Sequence, residues 1–267
     1  MIRGVVDVAG GTLAWDRVGE GPPLILLHGF SLDRRMWNAQ VATLAEEFSV
    51  IRYDLRGFGA SSLPDGPYSH VADLETLIGA LGLERPALLG LSLGANVALN
   101  FALAHPDALS ALILASPGLP GFAWTEVRPP DAAAAHARDH GVEAGKAFWL
   151  DHPLFAALDD YPEARAEVRR MVGDYHGWHW QNDNPVTDPM DAAARLGAVK
   201  APTLVLSGAR DVQGYRAIAA HLADTIPGAR LETIAGAGHM LNLERPDEFN
   251  PLIQAFLAGR QIDRIAI

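Results

Sequence analysis

Residues 90–94 read GLSLG, so Ser92 has a glycine two positions before it and another two positions after it. This segment ends an apolar run that begins at Ala87. This G-x-S-x-G spacing is typical of a sharp turn from a strand into a helix, in which the serine hydroxyl stands exposed above a sheet. Such a turn strains the serine backbone, and glycines let the chain pass closely on both sides. A helix predicted over residues 93–104 would direct its N-terminal N–H groups at an anion forming there. The pattern predicts a nucleophilic Ser92, the alternative being an ordinary loop serine.

A serine nucleophile needs a base to remove its proton and an acid to orient that base, and both residue types occur further along the chain. Asp211 ends a β-rich run that starts at Thr203 and breaks at a glycine. His239 closes a short loop after a second such run, residues 230–234. Taken singly, the aspartate could be a helix N-cap and the histidine a solvated loop residue. Their succession after neighbouring strands predicts a catalytic triad of Ser92, His239 and Asp211.

A further apolar run, residues 24–27, leads into His28-Gly29-Phe30. We predict that the loop after this strand completes an oxyanion hole, since acyl transfer builds negative charge that preorganised backbone donors stabilise. The donors are assigned to the N–H groups of Phe30 and Leu93. His28 is interpreted as a buried hydrogen-bonding residue that holds the loop. Residues 54–59, with an aspartate and an arginine beside two glycines, are interpreted as an ion-paired turn that braces it.

Five blocks of the sequence resemble the α/β-hydrolase superfamily, and they extend over nearly the whole chain. They are His28-Gly29-Phe30 with Trp37, residues 54–61 (DLRGFGAS), 90–94 (GLSLG), 207–211 (SGARD) and 238–246 (GHMLNLERP). The chain order of serine, aspartate and histidine is also the order of this superfamily. Within it, residues 68–117, Asn242 and Glu244 are most similar to the carboxylesterase and 3-oxoadipate enol-lactonase branch. Residues 28–37 are also similar to cofactor-free haloperoxidases.

The chain departs from these relatives at two positions. Asn96 stands where the turn after the serine commonly continues with small residues, often a pair of glycines. Met240 stands where ring-cleavage C–C hydrolases commonly have a tryptophan. The second difference argues against that subgroup.

Apolar patterning agrees with the fold that the resemblance implies. Short apolar runs at 24–28, 50–54, 87–91 and 111–115 are typical of strands buried on both faces of a parallel sheet, and segments of helical period separate them. An alternating pattern around Gly10-Gly11 predicts an N-terminal hairpin. We predict an α/β fold of the α/β-hydrolase type, with a mostly parallel central sheet, helices on both faces and a helical cap insertion. The core is predicted over 1–118 and 199–267, and the cap over 119–198.

The predicted cap is alanine-rich, is interrupted by prolines and contains several large aromatic residues. It would lie over the C-terminal ends of the strands, where ligands bind in open α/β sheets. The candidates for the wall of an apolar substrate pocket are Phe122, Trp124, Trp149, Phe155, Trp178 and Trp180, together with Met240 beside the histidine. The alternative is that these aromatic side chains pack a small core of the cap itself.

Composition excludes several other classes of function. With 32 acidic and 21 basic residues the formal net charge is −11, which repels nucleic-acid phosphates and anionic lipids. The absence of cysteine excludes a thiol nucleophile and a disulfide framework. The uncharged stretch 86–104 is interrupted by the Ser92 turn, and the N-terminus lacks the pattern of a secretory signal. We predict a cytoplasmic protein with a small-molecule substrate and no nucleic-acid or membrane partner.

His136 and His140 are spaced to share one face of a helix, with Asp139 between them. Two histidines four residues apart can bind a metal ion, but no further ligand occurs in a recognisable pattern. An exposed cap helix explains them better. We predict neither a metal nor a cofactor.

The predicted activity is hydrolysis of a small carboxylic ester or lactone through an acyl-enzyme intermediate. Three alternatives remain open. Hydrogen peroxide could replace water at the acyl-enzyme, as in the cofactor-free haloperoxidases and perhydrolases, or the site could cleave a C–C bond. The chain could also be a ligand receptor of low turnover, because the superfamily includes such receptors.

Overall fold

The computed structural model describes residues 1–125, 127–182 and 186–259; residues 126, 183–185 and 260–267, which belong to the predicted cap and to the predicted second part of the core, lie outside the described residues. The strands of the central sheet are β1 (Ile2–Val8), β2 (Gly11–Val18), β3 (Pro23–Leu27), β4 (Ser49–Tyr53), β5 (Ala87–Leu91), β6 (Ala111–Ala115), β7 (Thr203–Gly208) and β8 (Arg230–Ile234). Their order across the sheet is β1-β2-β4-β3-β5-β6-β7-β8.

The helices of the described residues follow in chain order. They are α1 (Asn38–Leu44), α2 (His70–Ala80), α3 (Leu93–Ala104), α4 (Pro129–His140), α5 (Val142–Leu150), α6 (Pro162–Asp174), α7 (Trp178–Gln181), α8 (Gln213–Thr225), α9 (Leu241–Glu244) and α10 (Pro246–Leu257). Short 3₁₀ turns lie at Arg34–Trp37, Pro153–Asp160, Ala192–Ala194 and Leu196–Ala198. The helix predicted after Ser92 has the predicted bounds.

The central sheet is mostly parallel, as predicted. Strands β1 and β2 form the predicted antiparallel hairpin, β2 also pairs antiparallel with β4, and the pairs from β4 to β8 are parallel. Every residue of β4, β5 and β6 is buried, because helices cover both faces of the central strands. The edge strands β1 and β8 are largely exposed. Parallel pairing therefore brings the carboxyl ends of β3, β5, β7 and β8 to the same edge of the sheet.

Helices α4 to α7 form a helical region inserted between β6 and β7. Side chains tie this region to the sheet domain: Trp149 Nε1 donates to Ser31 Oγ at 2.7 Å, and Arg35 pairs with Asp174 at 2.8 Å. Asp188 accepts hydrogen bonds from the N–H groups of the first turn of α2. In the part of the chain that the structure describes, none of the helices has both the length and the apolar character needed to cross a membrane.

Candidate active site

Ser92 lies at the junction of β5 and α3 with φ 54° and ψ −106°, a left-handed conformation that non-glycine residues rarely adopt. The flanking glycines explain how the turn closes. A Cβ added at Gly90 would lie 2.3 Å from the carbonyl carbon of Gly94, and one added at Gly94 would lie 2.1 Å from the oxygen of Leu27. Since both obstacles are backbone atoms, only glycine fits at these positions. The strained turn that the sequence predicts is therefore present.

His239 and Asp211 are hydrogen-bonded, with 2.8 Å between Nδ1 and Oδ2. Both are buried, at 2 % and 5 % exposure, and the second carboxylate oxygen accepts from the N–H of Val212 at 2.8 Å. A carboxylate acceptor at Nδ1 holds the proton on that nitrogen and leaves Nε2 free to act as a base. His239 and Ser92 line the same small cavity. The structure therefore brings the three predicted residues together at one edge of the sheet.

The N–H groups of Phe30 and Leu93 have no hydrogen-bond acceptor among the described residues. Both residues line a cavity together with Ser92. The loop that carries Phe30 is fixed by its neighbour Ser31, which has φ 61° and donates from Oγ to the Phe30 carbonyl at 2.6 Å. The two predicted donors are thus free, close to Ser92 and held by a rigid backbone.

The loop beneath Phe30 is braced by His28, which is fully buried. Its Nδ1 donates to the Gly29 carbonyl at 2.8 Å and its Nε2 accepts from the N–H of Leu55 at 2.9 Å. Burial lowers the pKa of His28, so its imidazole is neutral. This geometry agrees with the structural interpretation of His28.

The turn after β4 is ion-paired, as the sequence indicates, but its two charged residues do not pair with each other. Asp54 pairs with Arg34 and also accepts from the N–H groups of Arg34 and Ala60, each at 2.8 Å. Arg56 pairs with Asp73 at 2.6 Å. Asp54 therefore braces the 3₁₀ turn after the loop that carries Phe30, and Arg56 fixes the first turns of α2.

A cavity of about 380 Å³ opens between Ser92 and the inserted helices. Of the predicted pocket residues, Trp124 and Trp180 line this cavity. Trp149, Phe155 and Met240 instead line the small cavity beside Ser92 and His239. Phe122 and Trp178 line neither: Phe122 packs on His221 at 5.7 Å, and Trp178 lies edge-on to His179 at 5.0 Å. A further cavity of about 340 Å³ is lined by Phe30, Leu93 and Asn96, which also line the cavity of about 380 Å³.

Six polar or charged residues that the sequence analysis did not indicate line the main cavity, the one of about 380 Å³. They are Arg128, Asp131, Arg138, His179, Asn182 and Tyr215. Arg128 pairs with Asp131 at 2.8 Å, whereas Arg138 donates to the Trp180 carbonyl at 3.4 Å. Burial lowers the pKa of His179 to about 3, so this side chain is neutral. The one signal available in the sequence is the position of Tyr215, four residues after Asp211 at the start of a helix.

His136 and His140, the pair considered for a metal ion, lie with their ring centroids 4.5 Å apart, and His136 stacks on Phe148. Within the described ranges, no group of three or more potential ligands could hold a metal ion.

Glu244 is buried under the loop that carries His239, where it accepts from the N–H of Gly238. Burial raises its pKa from 4.5 to about 7, although backbone hydrogen bonds and His239 oppose the shift. Its carboxyl binds a proton more tightly in the folded than in the unfolded state, so its contribution to stability is lost as the pH rises from about 4.5 through 7. We expect Glu244→Gln, which cannot titrate, to gain about 3 kcal/mol of unfolding free energy relative to the wild type between pH 4.5 and pH 8.

Urea unfolding of both proteins across that pH range measures the difference. Glu248→Gln is a matched control, because Glu248 lies on the neighbouring helix and pairs with Arg245. A difference between Glu244→Gln and wild type that stays constant with pH would contradict the expectation.

Comparison with known proteins gives consistent matches over the chain. Residues 24–252 match the model of the alpha/beta hydrolase family. An uncharacterized protein of Mycobacterium tuberculosis is 31 % identical over 295 residues, covering 96 % of this chain and 84 % of that protein. The enol-lactonase of Burkholderia xenovorans superposes with a TM-score of 0.83 at 30 % identity, covering 96 % of this chain and 100 % of that one. A malate-bound thermophilic esterase of Thermogutta terrifontis gives 0.83 at 29 % identity, with 97 % and 99 % coverage. On its fold, its sequence blocks and these matches, the chain belongs to the alpha/beta hydrolase family.

Proposed function

We propose that this protein is a serine hydrolase that cleaves a small carboxylic ester or lactone through an acyl-enzyme intermediate. The observation that carries the proposal is the buried hydrogen bond between His239 and Asp211 beside a serine held in a left-handed turn. A carboxylate that fixes an imidazole, next to a hydroxyl that lines a cavity and two free N–H donors, is the arrangement that acyl transfer requires.

The proposed reaction has two halves. His239 Nε2 takes the proton of Ser92 as Oγ attacks the carbonyl carbon, and the N–H groups of Phe30 and Leu93 stabilise the tetrahedral oxyanion. The same imidazole then gives its proton to the leaving alkoxide. In the second half it removes a proton from water, which attacks the acyl-enzyme and releases the acid.

The size of the cavity and the character of the relatives support a small ester or lactone as the substrate. A volume of about 380 Å³ lies at the lower end of the range of ligand sites, which suits a short acyl chain. The two solved structures compared above are an enol-lactonase and an esterase. Two arginines, Arg128 and Arg138, and one aspartate, Asp131, line the cavity, and this excess of positive charge would favour an acyl group that carries a carboxylate.

The test is a rapid-mixing experiment with p-nitrophenyl esters from acetate to octanoate. We expect a burst of p-nitrophenol that equals the enzyme concentration, followed by a slower steady rate, because the acyl-enzyme forms faster than it hydrolyses. The short chains should give the highest kcat/KM. The hemisuccinate and pentanoate esters form a matched pair that differs mainly in charge, and the hemisuccinate should be hydrolysed faster.

The alternatives give different outcomes in the same apparatus. A product that is mainly peracid when hydrogen peroxide is added would indicate a perhydrolase. Ligand binding without a burst or turnover on any ester or lactone would indicate a receptor. Either result would overturn the proposed hydrolase function.

A further inference from the structure

Tyr215 is the side chain that contacts both the proposed nucleophile and the proposed base. It lies on the first turn of α8, four residues after Asp211, and is 5 % exposed. Its ring centroid is 4.3 Å from that of His239, and its side chain lies near enough to Ser92 for the two hydroxyl groups to interact. Tyr215 lines both the main cavity and the small cavity beside His239. Its hydroxyl is therefore beside the atom that would react.

The position of Tyr215 is fixed by packing. Trp124 lies edge-on to its ring, with 5.1 Å between centroids and an interplanar angle of 77°. Trp124 can approach because residue 214 is glycine: an added Cβ there would lie 2.3 Å from the indole ring. The tyrosine is thus held between an indole on one side and the imidazole on the other, so its hydroxyl has little freedom to leave Ser92.

A buried phenol at this position is a hydrogen-bond donor and not a base. Burial raises the pKa of Tyr215 well above the usual value of a tyrosine and the negative charge of Asp211 raises it further, although Ser92 and the positive charge of Arg128 oppose the shift. The hydroxyl therefore keeps its proton at neutral and alkaline pH. Ser92 Oγ has one proton to donate and can accept hydrogen bonds as well. If Tyr215 donates to Oγ, the serine proton is left to donate to His239 Nε2.

We propose that Tyr215 is a further catalytic residue, whose hydroxyl donates a hydrogen bond to Ser92 Oγ whenever that oxygen carries negative charge. This inference rests on the proposed serine hydrolase function. Oγ becomes charged twice: when it loses its proton to His239 in acylation, and when the bond between Oγ and the acyl carbon breaks in deacylation. The same donor stabilises both transition states, because Oγ stays in place throughout the cycle.

The test is Tyr215→Phe, which removes the hydroxyl and keeps the ring that packs on Trp124 and His239. We expect the rate of the burst and the steady rate with p-nitrophenyl acetate each to fall by about 10- to 100-fold, as for the loss of one hydrogen-bond donor in a catalytic site. The dissociation constant of the substrate before acylation, the burst amplitude and the melting temperature should stay at the wild-type values. A residue with only a packing role would leave both rates unchanged in this variant.

A second series identifies which oxygen receives the hydrogen bond. With substituted phenyl acetates, the fall in the acylation rate should be the same for good and poor leaving groups, since the donor acts on Oγ. Tyr53→Phe is the matched control, because it removes a buried phenol hydroxyl from β4 that has no partner among the described residues, and both of its rates should equal those of the wild type.

Two outcomes would overturn the inference while leaving the proposed function intact. One is a Tyr215→Phe enzyme with wild-type burst and steady rates. The other is an acylation rate that falls more as the pKa of the leaving phenol rises, with an unchanged deacylation rate. That result would place the hydrogen bond on the leaving oxygen. By contrast, a wild-type protein without a Ser92-dependent burst would contradict the proposed function itself.

Discussion

Replacing Ser92 by alanine should abolish the burst of p-nitrophenol and lower kcat by about 10⁴- to 10⁶-fold, the range found when a serine nucleophile is removed from a hydrolase. The physical reason is that the proposed mechanism assigns the attack on the carbonyl carbon to Ser92 Oγ, and alanine has no oxygen that could form the acyl-enzyme. Substrate binding should survive, because the cavity walls do not change. The measurement is rapid mixing with p-nitrophenyl acetate, together with the Kd of a non-hydrolysable ester analogue.

Ser116→Ala is the matched control for that loss. Ser116 also has a positive φ, 38°, and lies directly after β6, but it is buried and its hydroxyl has no hydrogen-bond partner among the described residues. The two substitutions remove the same atom from similar strand ends, so Ser116→Ala should keep the burst. Ester hydrolysis that persists in Ser92→Ala at more than about one hundredth of the wild-type rate would contradict the assigned nucleophile.

The sheet and the turn at Ser92 could be predicted because each is specified by local sequence. Strands buried on both faces must be apolar throughout, and β5 and β6 read as such uninterrupted runs. The turn after β5 requires glycine at two positions for contacts with backbone atoms, and that requirement appears directly as G-x-S-x-G. The order of Asp211 and His239 along the chain follows from the order of the strands that carry them.

The lining of the cavity could not be predicted in the same way. Large aromatic residues occur both on the inserted helices and in the loop before them, and they can pack against a neighbouring helix as well as line a cavity. Nothing local to Phe122 or Trp178 distinguishes these two environments. Arg138 reaches the cavity because α4 lies beside α7, where its guanidinium meets the Trp180 carbonyl. Contacts of this kind depend on how the helices are arranged in space, which a pattern within one helix does not encode.

Tyr215 shows an intermediate case. Asp211 lies in the turn before α8 and Tyr215 lies in the first turn of that helix, and this spacing of four residues is visible in the sequence. That the ring covers His239 depends on the chain after β8 returning to α8, which only the tertiary structure reveals. A polar residue one turn after a predicted catalytic acid is therefore worth testing even where no motif includes it.

Replacing Gly94 by alanine should lower the free energy of unfolding by about 3 kcal/mol or more, or prevent accumulation of folded protein. The added Cβ would lie 2.1 Å from the oxygen and 2.5 Å from the carbon of Leu27, both backbone atoms of β3, so α3 would have to move away from the sheet. Gly79→Ala is the control: nothing lies within 4 Å of its added Cβ, and alanine in α2 should stabilise the protein by about 0.5–1 kcal/mol. Urea unfolding of the two variants measures both changes in the free energy of unfolding, a decrease for Gly94→Ala and an increase for Gly79→Ala. A Gly94→Ala protein as stable as the wild type would mean that the turn can open without cost, and the close approach of β3 and α3 would then not be what holds Ser92 in its strained conformation.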